Sequence, residues 1–282
     1  MDFFDLHCDT ALECYKRNCG FSENDLAISG SGAVAFDNWY QCFAVFINDG
    51  TKEPFELYKS VLYDFKRKLN PPPNLHPFYT VEGGLVIEND IKRLKTLKED
   101  GVKAVTLTWN GENQIAHGVN SFGGLKSFGK DVIREMNALR IACDLSHLNE
   151  ESFFDCLELG DAVFASHSCC KSVFEHKRNL SNTQLKLIAQ KGGVVGICFY
   201  PAFLGGDNVF QKIYENICQM LNLGLENNIS IGSDFDGCVM ADSLCKITQI
   251  PDLYCFLEGK GLDKAVLDKI FFKNALNFFS KL

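Results

Sequence analysis

The sequence predicts an α/β fold: a single (β/α)8 TIM-like barrel spanning residues 1–282, with a metal site at the C-terminal face of its strands. Three observations carry that expectation. Eight short runs rich in Val, Ile, Phe and Tyr alternate with amphipathic stretches, as parallel strands alternate with covering helices. A length of 282 residues suits one barrel, and no repeat, low-complexity tract or long linker divides it. Histidines and carboxylates recur where the apolar runs end, on the face where such barrels carry their active sites.

The strand-like runs fall at 3–8, 40–47, 78–81, 104–109, 140–145, 162–166, 194–199 and 229–233. Helix-like stretches lie between them at 54–68, 89–100, 126–137, 149–159, 181–191 and 210–222. Gly101 and Gly224 stand where helices should stop before the next strand. Ser181 with Gln184 three residues on reads as a capping box at a helix start. The run Pro71-Pro72-Pro73 is stiff, polyproline-like chain ahead of the third strand. The closing stretch 262–282 presents Leu267, Ile270, Phe271, Phe278 and Phe279 and is expected to be a helix packed on the barrel.

Composition narrows the function classes. With 28 Lys+Arg against 36 Asp+Glu, the net charge of −8 lacks the basic stripe that a nucleic-acid partner requires. The 13 cysteines are odd in number and contain no Cys-x-x-Cys pair, which fits neither a disulfide framework nor a thiolate zinc site. Cys42, Cys143 and Cys198 sit inside apolar runs, where free cysteine behaves as a small hydrophobe. Thiols in such numbers point to the reducing cytoplasm. The start, Met1-Asp2-Phe3-Phe4-Asp5, lacks the basic region and apolar core of a signal peptide. The longest uncharged stretch, 192–206, is interrupted by Gly and Pro and is too short to span a bilayer. A soluble protein without a membrane partner is expected, and a homodimer is a possible assembly on general grounds.

The chemistry gathers at five strand ends: His7-Cys8-Asp9, Glu82-Gly83-Gly84, Asp144-Leu145-Ser146-His147, Ser166-His167-Ser168 and Ser233-Asp234-Phe235-Asp236-Gly237. Alternate residues on a strand share a face, so His7 and Asp9 both address the barrel mouth while Cys8 points into the wall. One strand-end His or Asp is more often a turn or cap residue. Three histidines, a glutamate and at least two aspartates on one rim form a metal-ligand pattern. Imidazole and carboxylate donors without thiolate suit catalytic Zn²⁺ or a similar divalent pair. Two ions roughly 3.5–4 Å apart need a bridging carboxylate, and Glu82 is the one strand-end glutamate. His76, His117 and His176 read as solvated loop histidines. Arg178 follows the sixth strand on the functional face, where it can grip a substrate carboxylate.

These segments, together with Leu107-Thr108 and Arg178-Asn179, resemble the renal (membrane) dipeptidase family of zinc peptidases, family M19. The matches keep the family's order from residue 5 to beyond residue 237, and Glu-Gly-Gly and Asp-Phe-Asp-Gly are the most specific of them. The resemblance implies two zinc ions per chain, one on His7 and Asp9, the other on His147 and His167, with Glu82 bridging. It implies that Arg178 binds the C-terminal carboxylate of a small dipeptide, that Asp234 handles the proton of the nucleophilic water, and that Tyr200 lines the pocket. The reaction would be attack of a metal-bridged hydroxide on the peptide bond, with Glu82 and Asp234 as the catalytic carboxylates.

One departure stands out. Where family members such as the renal enzyme have a histidine after Leu-Thr, this chain has Trp109, whose indole donates one hydrogen bond but carries no charge. Either Trp109 donates instead, another group such as His117 reaches in, or the substrate differs. The alternatives are a related metal-dependent barrel hydrolase acting on another amide or a lactone, or a non-enzymatic barrel that keeps these residues for stability. His-x-Asp in place of His-x-His on the first strand counts against the wider amidohydrolase pattern.

Overall fold

In the computed structural model, which describes residues 1–282, each apolar run pairs in parallel with the next and the last returns to the first, closing a barrel. The strands are β1 Phe3–Cys8, β2 Trp39–Phe46, β3 Leu75–Glu82, β4 Val102–Thr106, β5 Ala142–Asp144, β6 Val163–Ser168, β7 Val195–Ile197 and β8 Ile229–Ile231. Helices Pro54–Lys68, Arg93–Glu99, Ser127–Leu139, Glu150–Leu159, Asn182–Gln190 and Val209–Asn222 cover the outside. Strands buried on both faces read as continuous apolar runs, which is why the sequence announced them. No helix is long and apolar enough to cross a membrane.

Punctuation behaves as expected at several boundaries. Gly101 and Gly224 take positive φ after their helices, at 84° and 77°. Ser181 and Gln184 form the reciprocal capping box.

The departures have local causes. The strand β3 starts at Leu75 and carries Pro77, tolerated because β4 joins its other edge only from Tyr79. The strand β4 stops at Thr106 because Asn113 takes the Leu107 carbonyl (2.7 Å) and turns the chain, so Trp109 lies beyond the sheet. Arg140 has φ 53° and caps the preceding helix, so β5 begins only at Ala142. Helices at Thr10–Arg17 and Ile250–Gly259 were not foreseen. The C-terminal stretch is helical at Lys264–Asp268 and Asn274–Phe279 but widens to a π turn at Lys269–Lys273. Its last helix plugs the N-terminal end of the barrel, where Ala275, Phe278 and Phe279 join Phe4, Leu6 and Phe164 in a core of their own.

Candidate metal centre

Closure of the barrel brings the predicted strand ends to one rim. His7 is the penultimate residue of β1, Asp9 follows it, Glu82 ends β3, and His167 lies near the end of β6. His147 and Asp234 follow β5 and β8, and all six side chains are buried. The Nε2 atom of His7 lies 3.3 Å from Glu82 Oε2, 3.6 Å from Asp9 Oδ2 and 3.8 Å from Asp234 Oδ1. On the other side of Glu82, Oε1 is 2.7 Å from His147 Nε2 and 3.9 Å from His167 Nε2. The glutamate thus turns one oxygen to each half of the cluster. Three overlapping triads result, each with its ligand atoms within 4.8 Å of one another: His7, Asp9 and Glu82; Glu82, His147 and His167; and His7, His167 and Asp234.

The backbone is shaped for this convergence. His147 and Asp234 adopt φ of 71° and 63°, a left-handed conformation that non-glycine residues adopt at a cost and that clusters at functional sites. Gly83 has φ 106° and packs where a Cβ would strike the Ile47 carbonyl. Gly237 leaves open the space that the Asp9 and Asp234 carboxylates fill.

Hydrogen bonds fix the imidazoles. The Ser166 hydroxyl donates to Asp144 Oδ2 (2.6 Å) and accepts from His167 Nδ1 (2.7 Å). Asn110 Oδ1 accepts from His147 Nδ1 (3.0 Å). With both Nδ1 protons engaged, the Nε2 lone pairs of His147 and His167 face each other at 2.9 Å. The His167 lone pair has one donor, Arg178 Nη2, and the His147 lone pair is left beside the Glu82 oxygen, a repulsion that a bound cation would relieve. Burial lowers His147 to about 4, with Arg178 adding, and holds His167 well below its usual range, with His7 and Arg178 adding. Both rings are therefore neutral at pH 7. Burial alone would lower His7, but Glu82 and Asp9 outweigh it and hold this ring well above its usual value. Burial raises Asp9 to about 6, with Glu82 adding, and raises Asp234 to about 7, with Asp9 and Glu82 adding and His7 opposing. Glu82 stays well below the usual carboxylate range, because His7 and His147 overcome the effect of burial. Two buried polar atoms, His7 Nε2 and Asp9 Oδ1, have no hydrogen-bond partner.

Above the cluster opens a cavity of about 470 Å³. Arg178 and Tyr200 line it. The Arg178 guanidinium is buried and has no carboxylate partner; Nη2 donates to His167 Nε2 (2.8 Å) and Nε is unpartnered. Trp109 lines the cavity, whereas His117 is turned away, its ring nitrogens 2.9 Å from the Gly124 carbonyl and 3.2 Å from Glu112. His176 is not a free loop histidine: it lines the cavity and packs on Phe203 at 4.8 Å between ring centroids. His76 lies within β3, stacked on Tyr40 at the opposite end of the barrel. The supports Asn110, Asp144 and Ser166 were not singled out from sequence, although a Ser directly before His167 and an Asp three residues before His147 were visible signals.

Comparison with known proteins bears on the family and the fold. A family model described as membrane dipeptidase (peptidase family M19) matches residues 66–282. An uncharacterised protein of Klebsiella pneumoniae, encoded in the 5′ region of pqqA, is 33% identical over 211 residues, 70% of this chain and 78% of that protein. An uncharacterised dipeptidase of Schizosaccharomyces pombe is 32% identical over 226 residues, 77% of this chain but only 54% of that protein. Among solved structures, a metallopeptidase from Rhodobacter sphaeroides, liganded with a phosphinate mimic of the dipeptide L-Ala-D-Ala, superposes with a TM-score of 0.90. That match covers 99% of both chains at 19% identity and bears on the fold alone.

Proposed function

The chain belongs to the membrane dipeptidase family, peptidase family M19, a family of metallopeptidases, and from that premise we propose that it hydrolyses the peptide bond of dipeptides with a pair of zinc ions at the barrel mouth. The observation that carries the reading is the convergence of His7, Asp9, Glu82, His147 and His167, with His7 Nε2 and Asp9 Oδ1 left unpartnered in a buried site. Such a donor set fits hard or borderline divalent ions and leaves no role for thiolate. His7 and Asp9 would hold one ion, His147 and His167 the other, and Glu82 would lie between them. Bound there, the ions would supply Lewis acidity that lowers the pKa of water and polarises a carbonyl.

The chain's own residues do the rest. Arg178, a buried cation without a carboxylate partner, receives the substrate's terminal carboxylate. The Asp234 carboxyl borders the cavity, where it takes a proton from the attacking water and returns it to the leaving amine. Tyr200 closes the wall beside Arg178. Lys177 joins Arg178 on the β6 side of the cavity, while on the β1 side Glu13 is paired with Lys16 at 2.9 Å. The 13 cysteines are all unpaired, which supports a reducing, cytoplasmic setting.

The expected outcome is that zinc-loaded protein hydrolyses simple dipeptides bearing a free carboxylate, loses the activity to a chelator, and regains it with zinc. Metal-loaded protein inert toward a broad dipeptide panel would refute the reading. Trp109 in place of the family's histidine favours one second reading, a related hydrolase of another amide or a lactone. A lactone screen on the same sample separates the two.

A further inference from the structure

The cavity has two unlike walls. Arg178, Tyr200 and Phe203 stand over the β6–β7 side. Phe46, the last residue of β2, and Trp109, beyond β4, meet with ring centroids 5.4 Å apart and planes at 60°. In a ring of eight strands in sequential order, the β6–β7 gap lies opposite the β2–β3 gap. The Phe46–Trp109 pair therefore sits on the other side of the ligand cluster from Arg178, with the indole 6.4 Å from the His147 ring. Both aromatic side chains are only half-buried and border the cavity. Asn110, the polar neighbour on this side, is already engaged by His147.

On the dipeptidase reading, on which this inference rests, Arg178 holds the terminal carboxylate and the scissile carbonyl lies over Glu82, His147 and His167. An extended dipeptide spans about 7 Å. Anchored at Arg178, it carries its N-terminal residue across the cluster to the opposite wall. We propose that Phe46 and Trp109 form the specificity wall for the side chain of that N-terminal residue and select large apolar or aromatic groups. Ring faces and edges reward an apolar partner, while a charged side chain placed against them loses hydration.

The test compares kcat/KM for Phe-Ala and Gly-Ala in zinc-loaded wild type, Trp109→Ala, Phe46→Ala and Trp109→Phe, with zinc content and thermal unfolding measured on each. Wild type should favour Phe-Ala by about tenfold or more, the discrimination that one well-packed apolar side chain supplies. Trp109→Ala and Phe46→Ala should each cut that ratio by several-fold, mainly through KM, and Trp109→Phe should keep most of it. Should Trp109→Ala fail to fold, Phe46→Ala carries the comparison. A wild-type ratio near one, or a ratio unchanged in the alanine variants that fold, overturns the inference and leaves the dipeptidase reading standing. Wild type inert toward both dipeptides overturns that reading and this inference with it.

Discussion

At the N-terminal end of the barrel Phe279 packs against Phe4, Phe78, Phe164 and Phe278, with ring centroids 5.3–5.6 Å apart and the Phe279 ring almost wholly buried. At the C-terminal end three histidines and three carboxylates are buried, two of their polar atoms without partners. The same eight strands build both ends. One end removes aromatic surface from water, which stabilises. The other withdraws ionisable groups from water, which costs stability unless something compensates them. Stability and chemistry are thus separated along the barrel axis, as in other barrels of this architecture.

Substitutions at the two ends should separate accordingly. Glu82→Gln removes the carboxylate that faces both halves of the cluster; kcat/KM for a dipeptide should fall by at least about 10³-fold, as when Lewis-acid stabilisation worth several kcal/mol is lost. Denaturant unfolding should show the fold intact. Phe279→Ala should do the reverse, costing about 3–5 kcal/mol in denaturant unfolding while the folded fraction keeps its kcat. If Glu82→Gln unfolded the protein, or Phe279→Ala abolished turnover in folded protein, the separation would fail.

Arg178→Ala comes next in size. Removing the guanidinium should raise KM for dipeptides by about 10²-fold and leave zinc content unchanged. An unchanged KM would refute its assignment to the substrate carboxylate. Ser166→Ala should have the smallest effect, since it touches no substrate and acts by freeing the His167 ring from its link to Asp144. Zinc affinity, measured by competition with a chelator, should drop by about 10–100-fold; an unchanged affinity would mean the ring is oriented by its packing alone.

What the sequence disclosed follows from the same division. A parallel strand is apolar on both faces, so the eight runs stood out, and barrel topology then placed His7, Glu82, His147, His167 and Asp234 on one rim. The remainder depended on contacts between distant segments. The turn that carries Trp109 and Asn110 over the mouth is set by Asn113 on the Leu107 carbonyl, where apolar periodicity had read a continuing strand. Pro77 sits within β3 only because β4 joins late. Asp144 and Ser166 orient His167 from positions that look, residue by residue, like ordinary buried polar groups. His176 resembled a surface residue until Phe203, 27 residues later in the chain, packed against it.

The central claim is that the histidines and carboxylates at the C-terminal rim form a binuclear metal site. The most direct measurement is elemental analysis of purified protein, loaded with zinc and dialysed to remove loosely held ions. The account predicts about two zinc ions per chain, with Glu82→Gln retaining clearly fewer. Protein that binds no stoichiometric metal, or binds equally well without Glu82, would contradict it.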